Sequence, residues 1–408
     1  MQKSKLQLKN KKWDYVPILQ YCDFERGTEP GSNAYNREGD GVPFIRVGNI
    51  AAQIQKQIYT ISENINLCKK DDVLLVLDGS PGVVVKGVEG AFSSGIRRVI
   101  VKEPKKNLKD FVFYALQADF VQNTIKEYST GVTIKHASKS LEHIKIPLLP
   151  FPIQQKIVKV LDTVREAVDV QEKIIEKTKE LKKSSMHKLF KEGTRGAKLK
   201  KTEIGEIPEN WEVIQIQDVV LKTEQNDPSK NSMQEIKYID VSSISNDFLK
   251  IIDYKSYFGK DAPSRARKIL KENDIIFATV RPYLKRIAFV APKYDGFYAS
   301  TAFCVLRSDI KKVVPYYLFY YVSTDSFVFK VSGYQTGSGY PAITDNNIKR
   351  ELISFPSLTE QREIAEILQT IDRKIEIEQK KKELYKELFK TMLNKLMTGE
   401  IKADKLML

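Results

Sequence analysis

The chain has 408 residues, enough for more than one domain, and 67 Lys and Arg against 52 Asp and Glu leave a net charge of +15. Such an excess favours polyanionic partners, nucleic acid before an acidic membrane surface, although solvated lysine-rich surfaces would give the same balance. Cys22, Cys68 and Cys304 lie far apart and His136, His143 and His187 have no nearby ligand cluster, which argues against a zinc or other metal site and against a disulfide framework.

The opening MQKSKLQLKNKKW has no apolar core for a signal peptide, and the longest apolar runs, such as Val73 to Leu77, are strand-length. The expectation is a soluble, cytoplasmic protein with no membrane partner.

A first globular unit is expected over residues 1–145, its pattern beginning at Trp13. Pro43 to Val47 (PFIRV), Asp72 to Leu77 (DVLLVL) and Arg97 to Val101 (RRVIV) read as buried strands, separated by the turn-rich stretches Arg26 to Gly41 and Asp78 to Gly90. Phe111 to Ile125 reads as one helix, and Ser129 to Leu141 as a polar loop returning to IKIPLL.

Residues 146–193 then form a long helical segment, stopped by Gly193, and residues 194–210 read as a basic, glycine-containing linker. The pattern restarts at Trp211, where WEVIQI echoes WDYVPI. Within 211–352, Ile236 to Val241, Asp274 to Val280 and Ala302 to Leu306 stand where the three earlier strands stood; Tyr316 to Phe327 repeats the helix, and Thr336 to Ile348 repeats the polar loop. Residues 353–400 give a second long helix, preceded by Pro356, with Ser357 and Glu360 as a candidate capping box and Gly399 as its stop.

The two helical segments are copies 207 residues apart, Ile146 aligning with Ile353 and running without a gap through identical pairs such as Gln154/Gln361, Leu161/Leu368 and Leu189/Leu396. Steps of four and three mark one seam through Ile157, Leu161, Val164, Val168, Ile175 and Leu189, interrupted by polar residues such as Gln171. They mark another through Ile364, Leu368, Ile371, Ile375, Tyr385, Phe389, Met392 and Leu396. Each stripe is weakest in its middle, and the simplest partner for each helix is the other one. About 35 residues at 1.5 Å each make a rod near 50 Å, too long for one small domain to cover.

No GxxxxGK[ST], no FxGxG or [ND]PP[YF], and no HExxH occurs, so no catalytic residue is assigned; His136 has no counterpart in the second loop. The loops instead hold side chains that reach phosphates and base edges. In the first unit these are Arg46, Asn49, Ser80, Lys86, Ser93, Ser94, Arg97, Arg98, Thr130, Thr133 and Lys135. In the second they are Ser242, Ser243, Arg281, Tyr283, Lys285, Ser300, Thr301, Tyr334, Gln335, Ser338 and Tyr340, with Arg281 singled out because Pro282 fixes its exit. Strands and helices are held in type between the halves while the loops share almost nothing, the pattern expected if each copy faces a different target.

Over nearly its whole length the chain resembles the specificity subunit of type I restriction-modification systems. The resemblance is carried by FPIQQKIVKVLD and SLTEQREIAEILQTID, by the helix ends MHKLFKEG and LNKLMTGEI, by the connector TEIGEIPENWEV, and by the Thr-Gly loops; Ile153 departs from the usual acidic residue before Gln154. It implies an α+β fold of two mixed α/β target recognition domains joined by two long helices in an intramolecular antiparallel coiled coil, with a pseudo-twofold repeat. It further implies a non-catalytic subunit with no cofactor of its own, each domain reading half of a split, asymmetric double-stranded DNA site and the coiled coil setting the gap. Two modification subunits, which would hold S-adenosylmethionine and methylate adenine, and two restriction (translocase) subunits are the implied partners. A self-contained DNA methyltransferase or nuclease, and a coiled-coil adaptor for proteins, are the alternatives.

Overall fold

The computed structural model describes residues 13–51, 57–337, 339 and 341–402. The chain divides into two compact units, Met1–Lys173 with Gln379–Leu408, and Ile174–Glu378.

In the first unit the strand Ile96–Val101 lies between Cys22–Arg26 and Val73–Val76, antiparallel to both, and Val84–Val85 extends the sheet. Val73 to Leu77 is buried throughout, as an apolar run covered on both faces must be. A second sheet sets Val42–Ile45 parallel to Gly90–Phe92. The expected PFIRV strand therefore ends at Ile45, and Val47–Ala51 turns into a short helix. The single helix expected over 111–125 is two, Lys109–Gln117 and Asp119–Glu127, broken where Ala118 is extended (φ −63, ψ 142).

The second unit repeats the scheme: Phe303–Ser308 lies between Val220–Leu221 and Ile275–Ala278, with Ile287–Phe289 beyond, and Glu235–Ile239 runs parallel to Tyr298–Ser300. Its paired helices are Pro315–Val322 and Asp325–Ser332, again two where one was expected. Here Thr324 marks the break, accepting the Phe327 N–H at 3.3 Å. The stretch expected to be a plain linker folds into a hairpin of Leu199–Thr202 against Gly205–Pro208, which delivers the buried Ile207 to the core beside Trp211.

The two sequence echoes at Trp13 and Trp211 have one structural meaning. Tyr15–Pro17 pairs with Lys145–Pro147, and Glu212–Gln215 with Leu352–Phe355, so each opening strand is tied to the strand just ahead of a long helix. The helices run Phe151–Glu192 and Leu358–Thr398, several residues after the starts expected at 146 and 353 because those residues are spent in strands. Gly193 (φ +70) and Gly399 (φ +76) follow their last residues, as the stop signals require. Of the capping box only one half forms: Ser357 Oγ accepts from Glu360 N at 3.4 Å, while the Glu360 carboxylate is used elsewhere.

Each unit holds one end of each long helix. In the first, Ile157 and Leu161 share a core with Leu393, Leu396 and Met397, and Phe389 and Met392 pack against it. In the second, Met186, Leu189 and Phe190 share a core with Ile364 and Leu368, and Ile371 packs against it. The start of one helix thus lies beside the end of the other in both. Val164, Val168 and Tyr385 are half-buried and Ile175 and Ile375 buried, while buried Gln171 and Glu378 make the polar middle.

Candidate nucleic-acid interface

In the first unit a cleft of about 740 Å³ opens between the two sheets' turns, lined by Arg26, Arg37, Arg46, Asn49, Asp78, Ser93, Ser94, Arg97, His136 and Ser138 among others. Of the residues picked from sequence, Arg46, Asn49, Ser93, Ser94 and Arg97 meet here. Arg97 is only 7% exposed; its Nη1 donates to Ser94 O at 2.7 Å and its Nη2 to Ser138 Oγ at 3.0 Å, with Asp78 3.6 Å away. Burial lowers its pKa and the Asp78 carboxylate offsets this only in part, so Arg97 is a fixed wall of the cleft. Arg46, over the Tyr35 ring at 5.9 Å, is exposed and able to reach a phosphate.

The polar loop joins the cleft through backbone pairing. Lys135–His136 pairs antiparallel with Asp78–Gly79, which brings His136 Nδ1 to 2.9 Å from Asp78 Oδ1. Thr130 and His136 bridge each other across the turn, leaving Thr133 and Lys135 exposed. Arg98 belongs to another environment: alternation along its strand turns it away from Arg97, into Glu25 (2.7 Å), Asp72 (3.6 Å) and the Leu67 carbonyl (3.0 Å). Lys86 is likewise paired with Asp110, and Ser80 lies in the half-buried turn beyond the cleft lining. Sequence reasoning misses Arg26, Arg37, Asp78 and Ser138 and sets His136 aside because the second loop has no counterpart; the turn-rich composition of 26–41 is the one signal for the first two.

In the second unit the matched place is a strained turn. Val280 bridges Ala342, and Thr336 bridges Ala342, as Asp78 pairs His136 and Thr130 bridges His136 in the first. Three residues past the central strand stand Gly79 (φ +90) in one unit and Arg281 (φ +48) in the other. A residue with a Cβ held left-handed costs about 1–2 kcal/mol, so the second unit keeps a side chain where the turn alone would prefer none. Arg281 N donates to Pro341 O at 2.8 Å, Leu284 N to Arg281 O at 2.9 Å, and Lys285 is also left-handed (φ +54). Lys285 Nζ sits 2.7 Å from Asp325, so it anchors the turn, and Tyr283 stands 53% exposed at its tip.

Ser242, Ser243 and Ser300, picked in this unit, are held in local structure. Ser243 and Ser300 are buried, and the Ser242 and Ser243 amides donate to Asp240 Oδ1 at 2.8 and 3.2 Å. Thr301 and Tyr334 are exposed, Gln335 is half-buried and donates to Ser332 O at 2.5 Å, and Ser338 and Tyr340 lie outside the described residues. Burial pushes the thiols of Cys22 and Cys304 up to about 12 and that of Cys68 to about 11, so none is a ready nucleophile. Among the described residues no group of His, Cys, Asp or Glu is arranged to hold a metal, and no helix is long and apolar enough to cross a membrane.

Two sheet-and-helix units with unlike polar turns, joined through two long helices, are the architecture of a DNA specificity subunit. The family model for the type I restriction modification DNA specificity domain matches residues 10–180 and 208–386, and the chain belongs to that family. It is 28% identical to the type I restriction enzyme MjaVIII specificity subunit of Methanocaldococcus jannaschii, over 97% of this chain and 94% of that one. It is 23% identical to the EcoBI specificity subunit of Escherichia coli, over 86% and 77%. In fold it is similar to the type I restriction-modification S subunit from M. genitalium, with a TM-score of 0.56, 16% identity, and 95% and 97% of the two chains covered.

Proposed function

We propose that each unit reads one half of a split, asymmetric duplex site. The observation that carries this is the contrast at one shared turn, Asp78–Gly79 with His136 in the first unit and Val280–Arg281 with Ala342 in the second, on matching strand pairings. One scaffold then reads two unlike half-sites, and the exposed residues kept from the sequence reading, Arg46, Thr133, Lys135, Tyr283, Thr301 and Tyr334, supply phosphate and base-edge contacts.

The long helices act as an antiparallel coiled coil that sets the gap between half-sites and relates the two halves by a pseudo-twofold. What supports this is the pairing of one helix start with the other helix end inside each unit. Residues 1–145 and 211–352 serve as the recognition domains, in the cytoplasm. The chain itself is non-catalytic. Two modification subunits holding S-adenosylmethionine would methylate adenine in the sites it selects, and restriction subunits would cleave.

Methylome sequencing of a host with and without this gene tests the function: a bipartite methylated motif that vanishes with the gene is expected, and an unchanged methylome would sink it. Removing one heptad from both helices together should shorten the gap and leave the bases read unchanged; an unaltered gap refutes the spacer.

A further inference from the structure

We propose that Arg281 reads a guanine in the half-site bound by the second unit, and that the strained turn Arg281 to Lys285 exists to aim it. This rests on the DNA-reading function above and adds the base and the residue. The first unit turns the chain at the same place with Gly79, so the backbone path does not need a side chain there. A cation meant only for phosphate could sit at any exposed position on a flexible stem, as Arg46 and Lys135 do. Arg281 is instead held with its Cα fixed on both sides: its amide is bonded to Pro341 O, its carbonyl accepts from Leu284 N at 2.9 Å, and its Nη2 reaches Gly339 O at 3.4 Å.

The far end of the turn is pinned as well. Lys285 Nζ meets Asp325 Oδ1 at 2.7 Å, so Pro282 to Leu284 cannot swing independently of the helix that Asp325 begins. A planar guanidinium whose origin is fixed can turn an N–H edge to guanine O6 and N7, the base edge that arginine matches best. Rigid placement is what base reading needs and phosphate binding does not. Tyr283, exposed beside it, gives the turn a flat face against the duplex. In the first unit Gly79 presents nothing at this position, so the guanine is specific to one half-site.

The test is binding of the full chain, assembled with its modification subunits, to a random duplex library, followed by sequencing of the selected DNA. Wild type should select a split motif with a guanine in one half. Arg281→Ala and Arg281→Gly should both lose preference for that guanine by roughly tenfold to a hundredfold, with every other position retained. Arg281→Gly relieves the left-handed strain that Arg281→Ala keeps, so equal loss of guanine at unequal thermal stability separates reading from folding. Arg281→Lys should keep overall affinity and lose most of the preference. Guanine retained in Arg281→Gly, or all positions weakened equally, overturns the assignment alone; no split motif from wild type overturns the two-half-site function and this inference with it.

Discussion

In the second unit Trp211 is fully buried and donates its indole N–H to Glu360 Oε2 at 3.0 Å; in the first, Trp13 is half-buried and donates to the Leu396 carbonyl, also at 3.0 Å. Both tryptophans hold an opening strand to the second long helix, one at its first turn and one at its last. Glu360 also accepts the Thr194 amide at 2.9 Å, and a Cβ on Gly193 would come within 2.5 Å of its Oε1. The residue 207 earlier is Ile153, half-buried and without a carboxylate. One unit has concentrated its anchor on a single buried charge, while the other spreads it over a backbone carbonyl and apolar packing. The lesson is that a duplicated scaffold keeps the tie and is free to change the acceptor.

What is common to both is the next residue. Gln154 Oε1 accepts Leu108 N at 2.8 Å and its Nε2 donates to Leu149 O; Gln361 Oε1 accepts Val314 N at 2.8 Å and its Nε2 donates to Pro356 O. Each buried amide clamps the loop before its unit's helix pair to the first turn of a long helix.

The sharpest way to break the comparison is Glu360→Ala, which leaves the Trp211 and Thr194 donors without their acceptor and should cost about 3 kcal/mol in urea unfolding. Ile153→Ala should cost about 1 kcal/mol; equal losses would mean that the charge contributes nothing. Gln154→Ala and Gln361→Ala should each cost about 2 kcal/mol, and a large inequality between them would show that the clamps are not equivalent. Trp13→Phe, which removes one hydrogen bond to a carbonyl, should cost about 1 kcal/mol.

The smallest effect is a pH dependence confined to the second unit. Hydrogen bonds from Lys183 and Lys285 hold the Asp325 pKa down to about 2, below the ordinary aspartate value of 3.8. The stabilisation is therefore present above about pH 4 and lost as the pH falls toward 2. Because the carboxylate is largely exposed, Asp325→Asn should cost under about 1 kcal/mol at neutral pH, and its difference from wild type should vanish in acid. A difference that persists at pH 2 would assign the effect to something other than these ion pairs.

The periodic parts of the chain declared themselves in sequence because burial leaves a mark every three or four residues. Ile157, Leu161, Ile364 and Leu368 were found from spacing, and Gly193 and Gly399 from their position after it. Breaks at Ala118 and Thr324 were hidden, since an extended residue between two apolar helices changes no periodicity. The hairpin at 199–208 reads as a linker because its strands are short and largely polar, with only Ile207 and Pro208 buried. Residue type finds five of the side chains that line the first unit's cleft; it does not show that Arg98 and Lys86 pair with Glu25, Asp72 and Asp110, carboxylates distant in sequence. Alternation along the strand could have separated Arg97 from Arg98. Nothing local could have placed His136 on Asp78, a pairing across 58 positions.

Leu393, Leu396 and Met397 complete the first unit's core, and the Leu396 and Met397 carbonyls accept from Trp13 and Tyr15. These residues leave the ribosome long after the strands they close. The first unit must therefore wait, its apolar floor open to solvent, through the synthesis of some two hundred intervening positions, roughly ten to forty seconds at ordinary elongation rates. A stop codon just ahead of Leu393 would cripple the first unit, made long before it.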